Sequence, residues 1–504
     1  MGIIQKQGVR SSLYIILGFV VGAINLMILS TAFLTQSQIG ITRALIDSST
    51  TLVAFCSLGT INVIYKFYPY YRDHLEVKKN DLPFITALIS LIGFSLVTLF
   101  CYTFKDFIVR KLGKSPEFAE YFFHIFPYTF LLLIFLLLEA YMWAQHKSAT
   151  TNFLRETFVR LLTTLLLLLL GYRIINFSTF MKGFSLLYLI PVIILLVILI
   201  RSGKWSMNIV RPSKVSRRLK KKMLTFGLFV LGAHFLNVLA RTNDTFLIVG
   251  LKGLSNMGVF SIALYITAIM DIPQRSLGIA IPLLSQAWKD KDMNNITNIY
   301  SKSVSNLLVV GLAMFGLIWL NVHNLSYFLT HVMSKGNQDW SMIEPVVFIL
   351  GIAKVIDLGT GVNGSIIATS NLWRFDFFTN VFYTILSIPL NYFLIKYFDL
   401  PGLAISNLTA LILFNSVRYW FLYHKYDLQP YNFNHLKLVV VTTAIYVLIF
   451  FIPRMTNIYL DTVMRTGIFS SLFLVAIYNI NVAPDIINMI NKRLTFIGHK
   501  KSIE

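Results

Sequence analysis

Three acid–base pairs lie inside long apolar stretches: Arg241 with Asp244, Asp271 with Arg275, and Lys354 with Asp357. Their spacing of three or four residues puts both members of a pair on one face of a helix. A charge at membrane depth costs at least about 2.5–3.5 kcal/mol on insertion scales, so such groups face a partner or a water-filled cavity. Either each pair neutralises itself within its own helix, or the six residues line a polar cavity. In the cavity, Arg241, Arg275 and Lys354 would meet an anionic substrate, while Asp244, Asp271 and Asp357 would bind a coupling proton or sodium ion. The three charged helices all fall in the second half of the chain, which favours the cavity. Pro273, between Asp271 and Arg275, removes a helix hydrogen bond and predicts a kink. No catalytic residues, bound cofactor or metal site are expected. Cys56 and Cys101 both fall in apolar segments without ligand spacing, and no G-x-x-x-x-G-K-[ST] phosphate loop is present.

The elements that carry these residues are transmembrane helices. The chain has 504 residues, 56% hydrophobic and 13% charged, against roughly 25% charged in soluble domains. Apolar stretches long enough to cross about 30 Å of hydrocarbon recur along nearly the whole length. Strands of a β-barrel would alternate with a period of two, and these do not. The fold class is therefore an all-α polytopic membrane protein. About fourteen spans are predicted, at 13–33, 48–68, 83–104, 121–143, 154–172, 180–200, 223–250, 256–286, 303–322, 342–369, 376–396, 401–422, 436–453 and 465–482. They divide into an N-lobe (1–200, spans one to six), a basic cytoplasmic linker (201–222), a C-lobe (223–425, spans seven to twelve), spans thirteen and fourteen (426–483) and a cytoplasmic tail (484–504). An even number puts both termini on one side. With the N-terminus inside, about 28 of the 44 lysines and arginines fall in or beside cytoplasmic segments and about 12 outside, which supports two cytoplasmic termini. Lys105, Arg110, Lys111 and Lys114 run against the bias. The net charge of +22 is mostly this asymmetry. Its spread over many short loops argues against nucleic-acid binding.

Six tryptophans (Trp143, Trp288, Trp319, Trp340, Trp373 and Trp420) fall at span ends, as an interfacial belt requires. Lys66 and Glu139 lie near inner ends and are read as snorkelling. Asn25 and Asn62 sit deeper, where an interhelical hydrogen bond is expected. Gly359-Thr-Gly361-Val-Asn-Gly364 fits a dinucleotide-loop pattern but lies inside a span, so close packing or a break in the helix is expected instead. Asp290-Lys-Asp292 reads as a solvated turn. The tail segment IINMINKRLTFIG either lies on the inner leaflet or is solvated. Pro69 with Pro282, and Ala144 with Ala368, end spans about six helices apart, a pattern of internal duplication found in secondary transporters.

Spans eleven and twelve, IPLNYFLIKYFDLPGLAISNLTALI, resemble the signature of the polysaccharide flippases at Asn391, Gly402 and Ala404. Asp399 stands near where that signature has a glycine. In spans seven and eight, ARTNDTFLIVGLKGLSNMGVFSIALYI matches the same family at Arg241, Asp244, Gly258, Ser261 and Ala263. This family belongs to the multidrug/oligosaccharidyl-lipid/polysaccharide (MOP) exporter superfamily, and the resemblance covers nearly the whole chain. It implies two six-helix lobes about a V-shaped cavity. The implied function is flipping of undecaprenyl-pyrophosphate-linked oligosaccharide repeat units across the bacterial inner membrane for surface polysaccharide such as O-antigen. Implied partners are the lipid-linked oligosaccharide, the lipid bilayer and the polysaccharide assembly proteins. The main alternative is an ion-coupled multidrug or small-molecule exporter of the same superfamily, whose cavity would be dominated by acids. A polytopic polymerase or ligase would need a long outer loop, and none is present. The chain is thus read as a transporter and not an enzyme.

Overall fold

The computed structural model describes residues 3–111, 116–145, 147–203, 205, 207, 212–276, 280–333, 338–488 and 491. Every regular element among them is helical. Ten of these helices are long and apolar enough to cross a membrane, and an eleventh is formed if Ile343–Gly359 and Asn363–Thr369, bent by 47°, are taken as one span. The chain is an all-α polytopic membrane protein. The segment Trp373–Tyr426 holds the eleventh and twelfth expected spans as two helices that meet at a kink at Asp399 (φ 56°, ψ −144°).

Two compact units divide the fold. Unit 1 runs to Ser261 and includes Met333–Gln338; unit 2 holds Ile262–Val332 and Asp339–Glu504. The seventh span, which the sequence places at the start of the second lobe, packs in unit 1 against Gln36–Cys56. Unit 2 is built on Met293–Phe328, which packs against both Ile343–Gly359 and Ile458–Ile480.

Several expected boundaries move for local reasons. The second span, expected at 48–68, is two helices, Gln36–Cys56 and Thr60–His74. Thr35 and Gln38 form a reciprocal capping box that starts the first of them twelve residues early. Leu58 (φ 45°) and Gly59 (φ 77°) then break the chain, and a side chain on Gly59 would run into the Gly227 carbonyl. The eighth span, expected continuous over 256–286, comprises Leu254–Ala268, a 3₁₀ turn at Ile269–Asp271 and Ile272–Ser276, with Ala280–Asp290 beyond. The turn lies immediately before Pro273, whose missing N–H makes an unbroken helix costly there. The tenth span breaks at Gly361 (φ 61°), inside the glycine motif, so the break is what that motif encodes. Trp420 is exposed at a span end as expected, whereas Trp340 is fully buried and outside any belt. Asp290 accepts a hydrogen bond from Gln286, and Asp292 caps the next helix at Asn295 N, a structured turn. The tail from 492 lies outside the described residues.

Candidate functional site

The eighth and tenth spans meet in unit 2 through two rungs. Lys354 Nζ donates to Asp271 Oδ1 at 2.5 Å, and Gln274 Nε2 donates to Asp357 Oδ2 at 3.2 Å. Lys354 and Asp357, three apart, both reach the eighth span, so they share a face. Of the two alternatives, self-neutralisation within the tenth span is not what is seen, because Lys354 bonds across to Asp271, while the hydrogen bonds described for the Asp357 carboxylate come from amides. Asp271 stands in the 3₁₀ turn before Pro273, and the Asp271 and Lys354 side chains are 32% and 29% exposed. The pair is therefore only partly enclosed by protein.

From Asp357 the network passes to the twelfth span. Asn415 Nδ2 donates to Asp357 Oδ1 at 3.2 Å, and Asn415 Oδ1 accepts from Thr360 Oγ1 at 3.2 Å and Asn363 Nδ2 at 3.0 Å. Thr360 and Asn363 flank the break at Gly361, so the broken helix carries both groups to one acceptor. One turn further, Arg418 pairs with Asp376, donates to Thr379 and lies over the Phe414 ring at 4.0 Å. Sequence reasoning missed Gln274, Thr360, Asn363, Asn415 and the Arg418–Asp376 pair. Uncharged amides and residues near span ends carry little signal in a hydropathy profile.

The other three predicted residues are Arg241, Asp244 and Arg275. Asp244 is half-buried in unit 1, and the side chains of Arg241 and Arg275 lie outside the described residues. Unit 1 holds polar groups of its own. Asp47, 6% exposed, accepts from Arg43 Nε at 2.8 Å and from Thr245 Oγ1 at 2.5 Å, while Thr51 and Thr242 share a hydrogen bond of 3.0 Å. These bonds join the second span to the seventh beside Asp244. They were overlooked because the second span was begun at residue 48, one position past Asp47. Glu139 does not snorkel. It is 2% exposed and accepts from Arg155 Nη1 at 3.0 Å, and Glu156 bridges Arg155 and Arg160 at 3.2 Å each. Lys66 rests its ammonium on the Phe226 ring, 3.9 Å from the centroid. Asn25 forms the expected interhelical bonds, to Arg160 O and from Thr164 Oγ1, both at 2.7 Å. Among the described residues no group of three His, Cys, Asp or Glu side chains converges for a metal ion.

No protein-family model matches the sequence, and no curated protein matches it either. Solved structures do match in fold. The lipid II flippase MurJ, in an inward closed conformation, is similar with TM-score 0.69 and 12% identity over 93% of this chain and 97% of that one. A multidrug resistance MATE family transporter of the MOP superfamily in its inward-facing conformation is similar with TM-score 0.61 and 14% identity, over 84% of this chain and 97% of that one. The outward-facing conformation of such a transporter has TM-score 0.56 and 16% identity, over 83% and 95%. At these identities the likeness is one of fold alone.

Proposed function

We propose that the chain is a transporter that flips undecaprenyl-pyrophosphate-linked oligosaccharide repeat units across the bacterial inner membrane by alternating access. The observation that carries the proposal is the pair of rungs between the eighth and tenth spans, Asp271–Lys354 and Gln274–Asp357, in a fold shared with a lipid II flippase. In this reading Lys354 is held by Asp271 until a pyrophosphate oxygen competes for its ammonium. Arg241 and Arg275 supply further charge-assisted contacts, about twice as strong as neutral ones. A proton or sodium ion taken up at Asp271 or Asp357 provides the coupling, since neutralising Asp271 frees Lys354. The lipid tail remains in the bilayer, and polysaccharide assembly proteins receive the product.

An ion-coupled multidrug exporter is the second reading. Asp357 would carry it, because the hydrogen bonds described for its carboxylate come from amides, and a cationic drug would share its charge with nearby Arg418. Vesicles holding the protein separate the two. Translocation of lipid-linked sugar that is lost in Lys354→Gln and in the double variant Asp271→Asn with Lys354→Gln, at unchanged abundance of the double variant, supports the flippase. Full translocation by the double variant would reduce the pair to self-neutralisation. Export of a cationic dye without lipid-linked sugar translocation would establish the exporter.

A further inference from the structure

Unit 1 contains a second feature that a transport cycle does not call for. Thr60–His74, Leu82–Thr103 and the first turns of Lys214–Leu251 enclose a cavity of about 590 Å³. Its walls are apolar, formed by Leu58, Val63, Ile85, Ile89, Leu224 and Leu228. The polar side chains at its edge are engaged with one another. Tyr71 Oη and Ser216 Oγ share a hydrogen bond of 2.8 Å, Thr60 bonds Ser90 at 2.6 Å, and Thr86 bonds Tyr141 at 2.9 Å. The floor therefore suits a hydrocarbon chain and offers nothing to a sugar. The rim is cationic. Arg217 and Lys220 line the mouth, and Arg217 is steadied by donating Nε–H to Pro212 O at 3.0 Å. Among the described residues no carboxylate pairs with either cation. The nearby acid, Asp81, is buried and turned to the helix start, where Oδ2 accepts from Ser213 N and Ser216 Oγ at 2.7 Å each. There it complements the positive end of the helix dipole.

Arg217, Lys220, Leu224 and Leu228 form one stripe along the helix, at steps of three and four residues. The stripe is about 16 Å long at 1.5 Å per residue, the depth of one leaflet's share of about 30 Å of hydrocarbon. A charged end, an apolar run and a matching length together describe an amphiphile with an anionic head. We infer that this cavity is a binding site for an anionic glycerophospholipid of the leaflet facing the basic run. The phosphate would sit on Arg217 and Lys220, with one acyl chain between Thr60–His74 and Lys214–Leu251. Basic pockets between spans recognise lipid headgroups in this way.

The test is native mass spectrometry of full-length protein extracted from vesicles of equal phosphatidylglycerol and phosphatidylcholine. The wild type should retain phosphatidylglycerol preferentially. Arg217→Gln with Lys220→Gln should lower that preference by about five-fold for each cation removed. Lys289→Gln with Lys291→Gln, two cations in the other unit, should leave it unchanged. Leu228→Trp, which fills the cavity but keeps both cations, should also lose the lipid. If it does not fold, the two charge variants decide the matter alone. Equal loss in both charge variants, or loss in neither, would overturn the site. One-for-one displacement of phosphatidylglycerol by undecaprenyl pyrophosphate would assign the groove to the isoprenoid carrier and overturn it as well. None of these outcomes depends on what the protein transports.

Discussion

Glu139 and Arg155 show how the membrane treats a single charge. Glu139 is 2% exposed, and Arg155 is its described partner. Removing one member of a buried pair costs about 3–5 kcal/mol, because the other is left charged and unpaired. Arg155→Gln should therefore lower the thermal stability of the purified protein, and Glu139→Gln with Arg155→Gln should recover most of the loss. Lys354 and Asp271 obey the same rule more weakly. With 29% and 32% of their side chains exposed, the survivor is not sealed inside protein and the cost is smaller than for a buried pair. Lys354→Gln should thus reduce abundance only modestly, as quantified by gel filtration of the extracted protein. A loss as large as that of Arg155→Gln would mean that the pair behaves as a fully buried one.

At the scale of elements, the breaks matter as much as the helices. Gly59 combines a positive φ with a close approach to the Gly227 carbonyl, so Gly59→Ala carries both the left-handed penalty of about 1–2 kcal/mol and a steric one. Gly361 is similar, since a Cβ there would lie 2.5 Å from Ser303 Oγ. Gly467 is the contrast. It lies within the regular helix Ile458–Ile480, and a Cβ there meets nothing within 4 Å, so Gly467→Ala should stabilise by about 0.5–1 kcal/mol. Thermal unfolding of the three alanine variants should show two decreases and one increase. The break at Gly361 also has a chemical consequence, because it brings Thr360 and Asn363 to the same Asn415 oxygen. If transport uses this network, Gly361→Ala should slow translocation by more than its abundance explains, which a rate normalised to protein in the vesicle would reveal.

For the molecule as a whole, the charge asymmetry predicts sidedness. Cys56 and Cys101 are free and buried, so replacing both by alanine gives a background for labelling. A single cysteine at exposed Lys221 should then react with a membrane-impermeant maleimide only from the cytoplasmic side, and one at exposed Thr456 only from the other. The reverse pattern would invert the topology and move the basic run outside. The two compact units divide at Ser261, not within the basic segment 201–222. The seventh span belongs with unit 1, where its Thr242 and Thr245 bond to Thr51 and Asp47 of the second.

Composition and apolar length alone determined that this chain is an all-α membrane protein and roughly where its spans fall. Hydrophobicity is a local property and each span declares it independently. The three charged helices were legible for the same reason, and the family resemblance marked Asp399 as standing near a usual glycine. Its φ of 56° and ψ of −144° are what a glycine would accept without strain. Pairing was not legible. Helical spacing established that Lys354 and Asp357 share a face, but which charge Lys354 meets depends on the neighbouring helix, and only the tertiary structure set Asp271 against it. The same holds for Glu139 and Trp340. Their residue types and positions suggested solvent or interface, and their burial is decided by helices distant in sequence that close over them.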